Sequence, residues 1–380
     1  MREHLVMREH LVMREHFVMD VDGLSELISA LGAGGRRVLG PVAADGAIGF
    51  DEITSVADLP SGWADEQGPG HYRLRRRDDQ ALFGYAVGPQ GPRRELFAPR
   101  TVLVRIRRKG QETTIDSEPP DPGSPTAFVG LRGCELAAIA IQDRVFLGGD
   151  HPDPHYAARR ADTIVVAVNC NDPAGTCFCT SMGTGPRADG EYDLRLTELL
   201  DDHRHEFLCE VGSERGTTLI DSVTTRPARP ADLDAAERCI TDAAGRMGRR
   251  LDLDGLAERL AASPDDPRWD DVAARCLSCA NCTLVCPTCF CSSVEDTTTL
   301  DGSEAIRTRL WDSCFGSDHS YLHGGSVHAS TRSRYRQWLT HKLSTWQDQF
   351  GTAGCTGCGR CIAWCPAGID LTVEATEVGR

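Results

Sequence analysis

Long apolar runs are absent from this sequence of 380 residues. A helix that crosses a membrane needs roughly 20 consecutive apolar residues. The apolar run Ile164–Val168 has instead the length and the β-branched character of a buried strand. No secretory signal peptide is visible either. We therefore expect a cytoplasmic protein without a membrane partner, whose thiols stay reduced and available for metal binding.

Nucleotide-binding fingerprints and histidine metal motifs are missing as well. The glycines at 32–35 follow a helical pattern and lack the G-x-G-x-x-G spacing, and no Walker A sequence occurs. The 12 histidines include no H-E-x-x-H pairing, so none is assigned to a metal. The 41 basic and 56 acidic side chains give a net charge of −15, which disfavours nucleic-acid binding. These absences argue against a nucleotide or a nucleic acid as the ligand of this chain.

Cysteine, in contrast, is abundant, and eight of the 17 cysteines form two runs with one spacing. The runs read Cys276-x2-Cys279-x2-Cys282-x3-Cys286-Pro287 and Cys355-x2-Cys358-x2-Cys361-x3-Cys365-Pro366. In two-cluster bacterial ferredoxins this spacing places three thiolates on one 4Fe–4S cube and the fourth on the other cube. Structural zinc sites use paired C-x2-C units without the third cysteine and the trailing proline, so the spacing disfavours zinc.

The runs therefore predict two 4Fe–4S clusters with crossed ligands. The first centre is assigned Cys276, Cys279, Cys282 and Cys365, and the second centre Cys355, Cys358, Cys361 and Cys286. A chain with two such centres transfers electrons. The alternative from another functional class is a structural or regulatory module that depends on zinc.

The middle of the chain predicts an α/β arrangement. Residues 127–131 and 163–168 have strand character, and a helical pattern that begins at Gly133 separates them. A strand–helix–strand unit of this length indicates a parallel sheet. Shorter strand-like segments occur at residues 37–39, 47–50, 71–74, 81–87 and 101–107. The expected fold class is an α+β or α/β N-terminal region with a mixed or parallel sheet, followed by a helical, ferredoxin-like two-cluster domain with an insertion.

Four more cysteines predict a third site. Cys134 and Cys170 each follow the carboxyl end of a predicted parallel strand, where open α/β sheets bind ligands. Cys177 and Cys179 follow in the loop after Cys170. These thiols form either a third iron–sulfur site or a zinc site. The alternative is that they are packed cysteines without a ligand role.

Five cysteines remain outside these sets. Cys289, Cys291 and Cys314 lie in the insertion between the two runs, at residues 287–354, as auxiliary ligands or as packing next to the first cluster. Cys209 and Cys239 have no cysteine close in sequence and are predicted to be structural.

The predicted organisation has three parts. Residues 1–19 repeat a hexamer three times and are expected to be a disordered extension or a start-site artefact. Residues 20–265 form the α/β region, with two subdomains divided near 110–125 as one option, and residues 266–380 form the cluster domain. Near its end, a basic, aromatic run indicates a solvated helix face or a surface for an acidic partner; it consists of Arg332, Arg334, Tyr335, Arg336, Trp338, His341 and Lys342.

Several stretches resemble the iron–sulfur beta subunit of sulfhydrogenase-type, cytosolic NiFe hydrogenases. They are Gly130–Leu136 around Cys134, Asn169–Cys179, Ser181–Pro186, Tyr192–Glu198, Cys286–Cys291, Trp311–Cys314 and Gly357–Pro366. The resemblance runs from about residue 20 to the end of the chain. The A subunit of anaerobic sulfite reductase is similar as well.

The resemblance implies an electron carrier within a complex. Its partners would be a flavin subunit that binds NAD(P) and the hydrogenase small and large subunits that hold the nickel–iron site. A sulfite reductase complex is the first alternative. A second is a self-sufficient iron–sulfur reductase with a substrate or flavin site in the N-terminal half.

Overall fold

The computed structural model describes residues 15–86, 88–117 and 123–380. Its strands are β1 (His16–Asp20), β2 (Arg37–Ala44), β3 (Ala47–Glu52), β4 (Trp63–Gly68), β5 (His71–Arg76), β6 (Arg100–Lys109), β7 (Glu112–Ser117), β8 (Thr126–Leu131), β9 (Ile164–Val168), β10 (Leu194–Asp201), β11 (Arg204–Val211), β12 (Arg226–Pro227), β13 (Ser292–Thr298), β14 (Glu304–Trp311), β15 (Tyr321–Leu322) and β16 (Gly325–Ser326). Its helices are α1 (Val21–Ala33), α2 (Arg93–Leu96), α3 (Gly133–Phe146), α4 (Pro154–Ala161), α5 (Glu214–Ile220), α6 (Pro230–Gly245), α7 (Leu256–Ala262), α8 (Arg268–Arg275), α9 (Asn281–Leu284), α10 (Thr331–Thr340), α11 (Trp346–Phe350), α12 (Arg360–Ala363) and α13 (Leu371–Glu377). A 3₁₀ turn covers Val56–Asp58, and a π-helical turn covers His341–Thr345.

Eight strands form one mixed sheet in the order β12-β1-β11-β10-β9-β8-β2-β3. Its centre is parallel, because β2 pairs with β8, β8 with β9 and β9 with β10 in parallel registers. The strands at both ends are antiparallel to their neighbours. The predicted N-terminal region with a mixed sheet is therefore confirmed.

The β8–α3–β9 unit is buried on both sides of the sheet, which explains its nearly continuous apolar strands. Val129 of β8 packs in the core that contains α1, whereas Phe128 packs in the core against α3. One residue, Arg132, separates β8 from α3, and its N–H donates to the Glu135 carboxylate at 3.1 Å to close the first helical turn. Cys134 and the residues after β9 consequently share the carboxyl edge of the parallel strands.

A second sheet joins the N-terminal region to the insertion. Its order is β13-β14-β6-β7, and β14 pairs antiparallel with β6. The hairpin β13–β14 lies within residues 287–354, so the insertion completes a sheet that the N-terminal region begins.

The C-terminal region is helical, and its cysteines border an apolar core. Trp269 of α8, Leu339 of α10, Ile362 of α12 and Leu371 of α13 all lie in this core. Cysteines of both runs pack against it while they stay partly accessible. The helical C-terminal region is confirmed, and its likeness to a ferredoxin fold stays a prediction.

The predicted start of ordered structure near Asp20 is wrong. Residues 16–19 belong to β1, which lies between β11 and β12 in the large sheet. Val18 and Met19 are each 2% exposed. The last copy of the hexamer overlaps this short apolar strand. Most of the repeat, residues 1–14, lies outside the described residues.

Two further predictions about the N-terminal region are wrong. Residues 110–125 do not divide it, because β7 occupies Glu112–Ser117 and strands from both sides of this stretch lie in the large sheet; residues 118–122 lie outside the described residues.

Residues 81–86 form no strand. The N–H groups of Leu82 and Phe83 donate instead to the buried Glu198 carboxylate, at 2.6 and 2.9 Å. Val87 lies outside the described part of the chain.

Within residues 15–86, 88–117 and 123–380, no helix has the length and apolar character needed to span a membrane.

Candidate metal centres

The thiols of the first centre surround one cavity at the C-terminal end of α8. Cys276 caps α8, and the backbone of Ser278 and Ala280 is left-handed, with φ of 49° and 64°, so the loop turns tightly. The cavity is lined by Cys276, Cys279, Cys282, Cys361 and Cys365, together with apolar residues that include Phe315, Tyr335 and Trp338. Cys365 therefore lies with the three leading cysteines of the first run.

The surroundings of the first centre combine apolar residues with backbone N–H donors to sulfur. Burial raises the pKa of Cys276, and the thiols of Cys365 and Cys279 raise it further. Two backbone N–H groups already approach sulfur, from Ser278 to Cys276 Sγ and from Ile369 to Cys365 Sγ, each at 3.4 Å. Such donors stabilise the negative sulfur atoms of an iron–sulfur cluster.

Cys286 lies with the second run rather than with its own. Burial raises the pKa of Cys355 to about 12, and the Cys286 thiol is among the groups that raise it. Burial and the thiols of Cys355 and Cys286 also raise the pKa of Cys361. The Gly357 N–H donates to Cys355 Sγ at 3.4 Å. Each run thus meets the fourth cysteine of the other run, as crossed ligation requires, and ligation itself stays a prediction.

Cys358 of the second centre also borders the third site. It is 8% exposed and packs in one cluster with Cys134 and Cys179, with Met247 alongside. The sulfur atoms of Cys179 and Met247 lie 3.8 Å apart. The second centre and the third site are therefore neighbours, a relationship that the spacing of the cysteines did not predict.

The four cysteines of the third site converge at the carboxyl edge of the parallel strands. Burial is the main cause of their raised pKa values, and it raises that of Cys179 to about 12. The Cys358 and Cys179 thiols raise the pKa of Cys134, and the Cys170 and Cys179 thiols raise that of Cys177. The structure thus brings together thiols that the sheet-edge argument placed near one another.

A buried cation also lies at the third site. Arg132 is 2% exposed, and its guanidinium donates to the carbonyl oxygens of Asn169 at 2.9 Å and Phe83 at 2.7 Å. Burial raises the pKa of Cys170, and the Arg132 charge opposes that rise. Arg132 therefore supplies a fixed positive charge beside a set of thiols.

The loop after Cys170 packs directly on the second run. Phe178 N–H donates to Gly357 O at 2.8 Å, and a Cβ atom on Gly357 would lie 2.7 Å from Cys179 N. A Cβ atom on Gly185 would lie 3.0 Å from Cys179 Sγ. The glycine at 357 allows the loop of the third site to approach the second run closely, and the glycine at 185 leaves room for the Cys179 sulfur within the third site.

The three cysteines of the insertion form pairs near Cys286. The Cys289 thiol hydrogen-bonds with Cys286, and Cys291 hydrogen-bonds with Cys314, which lowers the pKa of Cys291 to about 6. Cys291 precedes β13 and Cys314 follows β14, so the hairpin brings them together; Asp312 N–H donates to Cys291 O at 2.9 Å. Cys289 lies beside Cys286, which is assigned to the second centre, whereas Cys314 lies near Cys282, which is assigned to the first. An auxiliary ligand role for them stays a prediction.

The two remaining cysteines pack in apolar cores. Cys209 is completely buried among the residues that cover the large sheet. Cys239 packs beside a small cluster that includes Val18 and Leu208.

The basic, aromatic run on α10 was predicted to be a solvated helix face or a surface for an acidic partner, and it fits neither description fully. Tyr335 and Trp338 are buried in the C-terminal core. Arg334 donates to Phe315 O at 2.7 Å, and Arg336 donates to Pro264 O at 2.6 Å. Because the run is half-buried and bonded within the chain, it stabilises the packing around the first centre.

The thiols of the described residues do not have the spacing of a tetrahedral metal ion. Tetrahedral zinc, with Zn–S bonds of about 2.3 Å, draws its sulfur atoms to roughly 3.8 Å of each other. Among the residues that the structure describes, no three His, Cys, Asp or Glu side chains converge in this way. At the first centre, cysteines border an apolar cavity, which suits an iron–sulfur cube that carries its ligands on separate corners.

Comparison with known proteins agrees with this geometry. Residues 275–369 match the family model of the 4Fe-4S dicluster domain. The chain is 31% identical over 350 residues to Sulfhydrogenase 2 subunit beta of Pyrococcus furiosus, an alignment that covers 90% of this chain and 92% of that protein. The match extends well beyond the cysteine runs into the sheet region. This chain belongs to the family of sulfhydrogenase beta subunits and is an iron–sulfur electron-transfer subunit.

Proposed function

We propose that this subunit relays electrons through two 4Fe–4S clusters, between a flavin subunit that binds NAD(P) and a NiFe hydrogenase module. One observation carries the proposal. Cys365 lies in the cavity of the first centre, and Cys286 lies beside Cys355 and Cys361 of the second. Crossed sets of this kind hold two clusters close together in one small domain, as an electron relay requires.

The clusters, when bound, supply one-electron transfer. The protein supplies the ligands, excludes water and orients donors toward sulfur. Phe315, Tyr335 and Trp338, each at most 4% exposed, form an apolar wall against the first centre. Backbone N–H groups next to the cysteines add stabilisation without adding charge.

The third site extends this relay toward the edge of the large sheet. We propose an iron–sulfur cluster bound by Cys134, Cys170, Cys177 and Cys179. Two contacts support it: Cys358 packs on Cys134 and Cys179, and Arg132 provides positive charge beside Cys170. Zinc is the alternative metal, and it would require these thiols to move closer together.

The partners belong to the proposal as well. The relative is named as a subunit, and the sequence of this chain lacks a nucleotide fingerprint, so a nicotinamide would bind on another chain. The hydrogenase small and large subunits and the flavin subunit are the expected members of the complex. Siroheme instead of nickel in a partner chain would assign the complex to the sulfite reductases.

Anaerobic purification through a native tag tests the proposal. Iron, nickel, zinc, acid-labile sulfide and flavin are measured, and the co-purifying chains are identified. About eight iron atoms in this chain, with a nickel-containing partner, would support two clusters in a hydrogenase, and about twelve would add the third site. Zinc without sulfide would overturn the electron-transfer role. Turnover of a substrate by the isolated chain would favour a self-sufficient reductase.

A further inference from the structure

A buried lysine contacts the second centre. Lys342 is 5% exposed, and its ammonium donates to Cys286 Sγ at 3.1 Å and to Thr288 Oγ1 at 3.3 Å. The ammonium also lies 6.0 Å from the centroid of the Trp338 ring. Lys342 is one of only two lysines in the sequence, beside 39 arginines. Lys342 is therefore unusual in this protein, both because its side chain is buried and because nearly all other basic residues are arginines.

The ammonium has no carboxylate partner among the described residues. The salt bridges within this part of the chain do not include Lys342, and its polar contacts are a cysteine sulfur and a hydroxyl. An isolated buried charge is costly unless an opposite charge offsets it. The counter-charge available to Lys342 is therefore on sulfur.

The backbone fixes the lysine against the second run. Lys342 lies in the π-helical turn at His341–Thr345, and π-helical turns are rare and frequent at functional sites. Gly354 N–H donates to Lys342 O at 2.8 Å, and Thr288 Oγ1 donates to Gly354 O at 2.8 Å. Gly354 immediately precedes Cys355 of the second centre. The ammonium is thus positioned by the same loop that carries the ligands.

The first and second centres differ in whether a charged group contacts a ligand sulfur. Each has an N–H donor at 3.4 Å from a sulfur atom, namely Ser278 for the first centre and Gly357 for the second. Only the second has a charged donor in contact with a ligand sulfur among the described residues. Arg93, which is 4% exposed, adds a second cation on the same side, since its guanidinium donates to Cys286 O at 3.1 Å.

We propose that Lys342, through its hydrogen bond to Cys286 Sγ, raises the reduction potential of the second centre above that of the first. Reduction adds one electron and makes the cluster one unit more negative, so a fixed positive charge stabilises the reduced form more than the oxidised form. Lys342 is a positioning residue that acts through its ligand neighbour. Electrons that enter the pair of centres would therefore accumulate on the second, beside the third site. The inference rests on the crossed ligand sets of the proposed function.

Redox titration monitored by electron paramagnetic resonance tests this role. In the complex that carries Lys342→Met, the equilibrium constant for reducing the second centre should fall at least tenfold, a shift of 59 mV to lower potential for a one-electron couple. The first centre should shift less, because Lys342 contacts a sulfur atom of the second centre and acts on Cys282 of the first only through its charge. Lys342→Arg, which keeps the charge, should restore most of the potential. Lys109→Met removes the other lysine, which is exposed at the end of β6, and should change nothing.

Several results would overturn the proposal. An unshifted second centre, a shift confined to the first centre, or an equal shift in Lys342→Arg would show that charge at this position does not set the potential. To assign the shifted redox transition to one centre, Lys342→Met is combined with Cys276→Ser, which alters the first centre. Iron content is measured first, because fewer than about eight iron atoms in the unmodified chain would refute the two-cluster assignment itself.

A second variant applies if Lys342→Met loses iron. Lys342→Gln removes the charge and keeps a polar side chain that can donate to Cys286 Sγ and Thr288 Oγ1. We expect a smaller shift of the second centre in the same direction. No shift in Lys342→Gln would then refute the role of the Lys342 charge.

Discussion

Arg360 Nη2 lies 2.6 Å from Glu135 Oε1, and the two side chains are 1% and 0% exposed. Arg360 begins α12, one residue before Cys361, and Glu135 follows Cys134 in α3. Arg360 Nε also donates to Gly88 O at 2.6 Å. This buried ion pair therefore connects the second cysteine run to the helix that carries the first thiol of the third site.

Removing one partner of this pair should destabilise the protein. Arg360→Met leaves the Glu135 carboxylate buried without its counter-charge, which typically costs about 3–5 kcal/mol. Adding Glu135→Gln removes the stranded charge and should recover a large part of that loss. Urea unfolding of the anaerobic protein measures both variants, with Arg380→Met, which removes an exposed ion pair with Glu377, as the control. A double variant no more stable than Arg360→Met would contradict an electrostatic cause.

The crossed ligand sets predict which cluster each fourth cysteine affects. Cys365→Ser should change the spectrum and potential of the first centre, and Cys286→Ser those of the second, although each residue belongs to the other run. Electron paramagnetic resonance of each dithionite-reduced variant provides the measurement. Cys239→Ser, which removes a cysteine packed beside a distant core, is the matched control. If Cys365→Ser changed only the second-run cluster, the crossing would be wrong.

The third site predicts a separate change in iron content. Cys134→Ser should lower the iron content by about four atoms per chain and leave the signals of the first and second centres present. Because Cys358 packs against Cys134, the potential of the second centre should also shift slightly. Iron analysis with Mössbauer spectroscopy distinguishes these effects. Unchanged iron and sulfide in Cys134→Ser would mean that the four thiols are packed cysteines without a metal.

The spacing of the cysteines predicted much of this arrangement, because ferredoxin-type runs and strand ends are local features of a sequence. The β8–α3–β9 unit and the position of Cys134 beyond β8 follow from apolar patterning alone. The strand His16–Asp20 did not, since its pairing partners lie in β11 and β12, about 190 residues later. Long-range pairing of this kind leaves no mark in the local pattern.

Contacts between distant segments were missed for the same reason. Lys342 was one member of a basic, aromatic run, and nothing in that run indicated that its ammonium meets Cys286. The only sequence signal was its rarity as one of two lysines. The contact of Cys358 with Cys134 likewise joins residues more than 200 positions apart, and the cysteine spacing describes each run by itself.

The close packing of Gly357 against the third-site loop gives a sharp test of how the two parts are coupled. Gly357 has φ of 65°, and a Cβ atom there would lie 2.6 Å from Phe178 O and 2.7 Å from Cys179 Cα. Gly357→Ala must therefore displace the loop that carries Cys179, and we expect reduced iron at both the second centre and the third site. If backbone strain at residue 357 were the only effect of the substitution, no loss of iron would be expected.

Gly110→Ala separates strain from steric overlap. Gly110 has almost the same backbone conformation, with φ of 62°, but no atom lies within 4 Å of its added Cβ. Its substitution should cost only the left-handed penalty of roughly 1–2 kcal/mol and should leave the iron content unchanged. Iron analysis and thermal unfolding of the two variants provide the comparison. Equal iron loss in both, or full iron retention in Gly357→Ala, would show that contact between the Cys179 loop and the second run is not needed to assemble the centres.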